Sequence, residues 1–150
     1  MLEQLIESAV IGAIAAVIPD HVSINGAWQA APSGVVKGHE TADAVAYVGV
    51  AVGPRAFETF TTPKAMFAVA VSLKVRDERD PQGSTFAACA ESILALMQSW
   101  QTSLQDVKTA FSVEGFVPHG VRVEGGNVVR DDAARATVMT ESFTIRGIIS

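Results

Sequence analysis

Between Met66 and Trp100 the chain changes from one hydrophobic period to another, and few folds can host that change. Phe67, Val69, Val71, Leu73 and Val75 occupy the odd positions, while the even ones pass from Ala68 and Ala70 to Ser72, Lys74 and Arg76. A period of two predicts a long strand with one apolar face and one that turns polar toward its end. Asp77-Glu78-Arg79-Asp80-Pro81-Gln82-Gly83 stops the strand, because Pro and Gly break the ladder and the charges demand water. Ser84 or Thr85 is placed to cap a helix. Phe86, Ala90, Ile93, Met97 and Trp100 then recur at steps of three and four, which draws one apolar stripe along that helix. The segment specifies a helix on a sheet and contains no recognisable reactive group.

A chain of 150 residues suits one domain, 1–150, and one of this size buries roughly 70% of its unfolded surface without metal or disulfide. Its hydrophobic content of 49% is largely Ala and Val. Such a core suits closely approaching elements, or a subunit that hides surface in an assembly. The formal charge of -5 argues against a grip on nucleic acid. An acidic wall does let a polyanion slide past without sticking. Cys89 is the only cysteine, which excludes an intrachain disulfide and fits a reducing cytoplasm. Beside Ala90 on the predicted helix, it reads as a small buried hydrophobe rather than a nucleophile.

Leu2 to Ile18 is strongly apolar, yet its early charges are Glu3 and Glu7, where a signal peptide would be basic. Glu3, Gln4, Glu7 and Ser8 also interrupt it too often for a membrane span. Leu2, Leu5, Ile6, Ala9, Val10, Ala13, Ile14 and Val17 predict the buried stripe of a helix that Pro19 ends. Ile11 and Ile18 on the far side call for a second cover, such as a neighbouring subunit. Downstream the pattern predicts a short strand over Val22–Trp28, a loop over Ala30–Gly38, and a strand from Val45 to Val52 ended by Gly53-Pro54. Phe57–Thr61 predicts another short strand, and Thr85–Trp100 the helix already described. Ser103, with Asp106 three residues on, caps a further helix to Ala110. Phe111–Val117 and Val121–Val123 predict strand around a bend at Pro118-His119-Gly120, and Gly125-Gly126-Asn127 a turn. The last strand runs from Ala134 to Ile149, with Glu124–Ala133 as a polar hairpin arm. The class is α+β: a mainly antiparallel sheet with an N-terminal and a central helix packed on it, and a C-terminal β-hairpin.

Chemical motifs are missing. His39-Glu40 lacks the second His one turn on that a zinc-protease helix needs, since position 43 is Asp. His21, His39 and His119 share no local ligand spacing. The glycines form neither a P-loop nor a dinucleotide fingerprint, and Ser33-Gly34 and Ser112 lack an esterase elbow. Asp77, Glu78 and Asp80 do not follow a calcium-loop spacing. No catalytic, cofactor-binding or metal-ligating residue is assigned.

Val50 to Phe60, Pro63-Lys64, Phe67 to Val75, the Asp-containing break and Ala90 to Met97 together have a familiar layout. The chain resembles the small tail-terminator and tail-completion (head-tail joining) proteins of long-tailed bacteriophages and prophages. The resemblance implies a non-enzymatic virion protein that assembles in the bacterial cytoplasm and resides in the tail or neck. It implies a homohexameric ring that caps the tail tube, contacts the tail-tube protein and a head-tail connector protein, and lets DNA through as cargo without specific binding or membrane contact. His21–Asp43 and the arm from Gly125 to Ala133 depart from the family's layout. On this reading two polar segments are the candidate assembly interface: Asp77, Glu78, Arg79 and Asp80 in one, and Arg130, Asp131 and Asp132 in the other. The alternative is a small cytoplasmic α+β enzyme or ligand-binding domain with a cleft near His39 and His119.

Overall fold

The computed structural model describes residues 2–18, 22–26, 34–37, 46–57 and 63–150. The elements are α1 (Leu2–Val17), β1 (Val22–Gly26), β2 (Gly34–Lys37), β3 (Ala46–Val52), β4 (Ala56–Phe57), β5 (Lys64–Arg76), α2 (Ser84–Thr102), α3 (Leu104–Phe111), β6 (Phe116–Asp131) and β7 (Ala136–Ile149). The sheet runs β2-β1-β3-β5-β7-β6, with β4 also on β5. Every pairing is antiparallel except β1 with β3. The fold is α+β.

The alternation in β5 does what its period dictates. Phe67, Val69, Val71, Leu73 and Val75 are buried on the face that receives the helices. Ala68 and Arg76 are exposed on the other, with Ala70, Ser72 and Lys74 half-buried. Helix α1 packs on β1 and β3, α2 on β5 and β6, and α3 on β6. Between these layers Trp100 meets Phe111 at 4.7 Å and Phe143 at 5.5 Å, while Phe67 and Phe116 meet edge-on at 5.4 Å. These edge and tilted contacts suit the ring quadrupoles, and the Trp100–Phe143 pair ties α2 to β7. Cys89 is fully buried, and burial pushes its thiol up to about 11, with Asp80 adding to the effect. No described helix is long and apolar enough to cross a membrane.

Several predicted elements are corrected. The buried side of α1 is turned from the predicted stripe: Leu5 and Val17 are exposed, while Glu3 and Glu7 join Ile6, Val10, Ile11 and Ile14 inside. Ile11 and Ile18 thus need no neighbouring subunit to cover them. Gly34–Lys37, read as loop, is strand β2 on β1. Phe111 closes α3 rather than opening a strand. Ser103 caps α3 as predicted, its side chain accepting from the Asp106 amide at 3.3 Å. Gly125-Gly126-Asn127 is not a turn but continuous β6. Gly125, at φ 106, belongs to a bulge, and a Cβ on Gly126 would strike the Thr140 carbonyl and the Glu141 carboxylate. The hairpin turns instead at residues 132–135, where Asp131 accepts from the Ala134 amide at 3.1 Å. His21, Trp28, His39 and the predicted strand beyond Phe57 lie outside the described residues.

Candidate functional site

The two polar segments singled out from the sequence meet at one end of the sheet. Asp77, Glu78 and Arg79 form a single 3-10 turn directly after β5. Arg130 and Asp131 end β6, and Asp132 opens the hairpin turn. Because β5 and β6 both flank β7, with Val75 and Arg130 each opposite Thr137, the two segments become neighbours. The Arg130 guanidinium donates through both terminal nitrogens to the Asp77 carboxylate, one bond at 2.6 Å, and its Nε lies 3.5 Å from Asp132. Asp131 lies 3.8 Å from Lys74. The Arg130 hydrogen bonds hold the Asp77 carboxyl below the usual carboxylate range, and the Asp77 carboxylate raises Arg130. Glu78 is exposed.

Asp80 has a different task from its neighbours. It is buried, and its two carboxylate oxygens accept from the amides of Thr85 at 3.0 Å and Phe86 at 2.8 Å. It therefore satisfies the open amides at the start of α2 from outside the helix. Gly83, in the left-handed region at φ 74, occupies the position before the helix and lets the chain double back to bring Asp80 there. Ser84 and Thr85, predicted as caps, are the first helical residues. The sequence signal was present in an Asp next to Pro81 and three residues before Gly83, but the cap lies five residues from its nearer amide, beyond the usual spacing.

A second site escaped the sequence reading. Between Val52↔Val69 and Ala56↔Met66, three residues of the β3–β4 edge stand opposite two of β5, which is a bulge. Pro54 has no amide to give, and Arg55 is turned toward the first turn of α1. There its backbone amide and Nε reach Glu3 Oε2 at 3.2 Å each, and a terminal nitrogen reaches Oε1 at 2.8 Å. The Arg55 hydrogen bonds hold the Glu3 carboxyl down at about 2 although burial pulls the other way, and Glu3 raises Arg55 in turn.

His119 is the extra residue of a β6 bulge and is exposed. Among the described residues no group of His, Cys, Asp and Glu is arranged to hold a metal. On the helical side, an open groove of about 510 Å³ runs between α1 and the α2–α3 pair, lined by Ala9, Gly12, Ala13, Leu96 and Trp100 among others.

No protein-family model matches the chain, and no curated protein does. Its fold is similar to that of a chain in a structure described as the virion of a native gene transfer agent (GTA) particle. The TM-score is 0.57 at 16% identity, over 95% of this chain and 93% of that one.

Proposed function

We propose that this chain is a structural subunit of a phage-type particle, a ring-forming tail terminator or head-tail joining protein that caps the tail tube while DNA passes through. The observation that carries the reading is the shared fold, which extends over nearly the whole of both chains. It agrees with the layout of strands and helices that resembles the tail-terminator proteins. The formal charge of -5 suits a passage for DNA that must not adhere. The reading requires no catalysis, cofactor or metal. Asp77, Asp131 and Asp132, with Arg130, form one exposed charged cluster suited to contact with a neighbouring copy or ring.

Light scattering across a concentration series, with negative-stain images of the same fractions, tests the reading. Closed rings are expected, at about six times the 15.7 kDa chain mass if the assembly is a hexamer. A protein that stays monomeric at high concentration and forms no ring with tail-tube protein present overturns it. Polymers of indefinite length would instead make the chain a tube subunit.

A further inference from the structure

The two halves of β6 are protected differently. In its first half the strand carries Pro118, bulges at His119 and Glu124, and a side-chain cap in which Gln101 accepts the Val123 amide at 2.7 Å. Helices α2 and α3 also pack against this strand. Each feature is a known way to keep a free edge from pairing with another chain. From Gly126 to Asp131 these devices stop. The register with β7 runs unbroken from Gly126↔Glu141 to Asp131↔Ala136. Val128 and Val129, on opposite faces, are 58% and 49% exposed. Arg130 is turned to Asp77 and Asp132. Among the described residues no strand pairs with the outer side of β6. Alternate residues there direct amides and carbonyls outward, between two exposed β-branched side chains.

Among the described residues the other rim of the sheet is β2, Gly34–Lys37. Tracing the pairings across the sheet, β2 and β6 run in the same direction. A rotation that sets the next copy alongside, with its helices on the same side, therefore brings β6 of one copy parallel to β2 of the next. Val35-Val36-Lys37 on one rim matches Val128-Val129-Arg130 on the other. In that register Lys37 stands at the end of β6 that carries Asp131 and leads into Asp132.

We propose that Gly126–Asp131 is the docking edge for a second copy of this chain, pairing in parallel with that copy's Gly34–Lys37. The contact is head-to-tail, so it repeats from copy to copy and closes where the rotation closes. It rests on the ring-subunit reading and names that ring's contact.

The test mixes a Val129→Cys chain with a Val36→Cys chain under mild oxidation, the buried native Cys89 staying out of reach. A disulfide between the two variants is expected, and neither variant alone should give a comparable product. A Val128→Lys/Val129→Lys chain should keep its melting temperature and fall to the 15.7 kDa monomer mass. Equal cross-linking by one variant alone, no cross-link in the mixture, or wild-type assembly of the double lysine variant overturns the edge pairing. Rings that survive the lysines leave the virion reading standing and reject only this contact. No assembly of any kind, even with tail-tube protein, rejects both.

Discussion

Glu3–Arg55 and Asp77–Arg130 use the same two functional groups, join residues 52 and 53 positions apart, and both place two guanidinium nitrogens on one carboxylate. They differ in water. The Glu3 side chain is 9% exposed and its arginine 33%, whereas Asp77 and Arg130 are 44% and 46% exposed. A carboxylate already stripped of solvent cannot recover it when its partner goes, so the first pair behaves as part of the core. The second keeps water on both partners and can exchange them cheaply. One chemistry thus serves as a rivet between α1 and the sheet edge and as a solvent-exposed cluster at the end of β6.

The largest effect expected from this contrast is at Arg55. Arg55→Ala strands Glu3 against α1 without its guanidinium, and should cost about 2–4 kcal/mol in urea unfolding, the low side of the range for a broken buried pair because Arg55 is partly wet. If the variant unfolds like the wild type, the distinction between the two pairs collapses. Acid sharpens the same point. Glu3 is held at about 2, below its ordinary 4.5, so its contribution is complete above about pH 4.5 and is lost as pH falls from there toward 2. The shift corresponds to about 3 kcal/mol. Glu3→Gln should remove that part of the acid sensitivity, so the stability gap between wild type and variant narrows over this window. A gap that stays constant with pH would show that the pair contributes no linkage.

The sheet was far more legible than the pairs that fasten it. Period two in β5 and the three- and four-residue steps of α2 are local patterns, and both elements form where they place them. The cap of α3 is local too, and was found. Helix α1 forms where its pattern places it, with Leu2, Ile6, Val10 and Ile14 of the stripe buried, but its face is legible only in part, because hydrophobic residues surround it and periodicity cannot choose between them. The choice fell to Glu3, whose partner arrives from a bulge 52 residues away. The tip of the hairpin was misread for a related reason: Gly125-Gly126 has the composition of a turn. Gly126 is instead needed where the Thr140 carbonyl and the Glu141 side chain approach the backbone, a cross-strand fact invisible in the chain. Of the candidate interface residues, the sequence located two segments but not their meeting, and it counted Asp80 with the free charges.

Asp80 supplies the intermediate case. Asp80→Ala removes the carboxylate that receives two amides of α2, and should cost about 1–2 kcal/mol, the upper part of the range for a lost helix cap. Asp80→Asn, which keeps one acceptor oxygen, should recover part of it. A loss in assembly without a loss in stability would return Asp80 to the surface cluster, against its burial.

The smallest effect on the monomer is expected where the surface pair is broken. Asp77→Ala and Arg130→Ala each free a partner that remains in water, and the backbone bond from the Asp77 amide to the Arg135 carbonyl, at 2.9 Å, stays in place to hold the turn beside the hairpin. Their melting temperatures should therefore stay close to that of the wild type. Under the ring-subunit reading the same two changes should act on assembly, and in opposite directions. Removing Asp77 makes the end of β6 less acidic and weakens its attraction for the basic end of a neighbour's β2, whereas removing Arg130 makes it more acidic. Asp77→Ala should thus shift the mass distribution by light scattering toward monomer, and Arg130→Ala toward larger species, with both shifts shrinking as salt screens the charges. Equal shifts, or shifts that ignore salt, would mean that the cluster acts through the shape of the turn rather than through its charge.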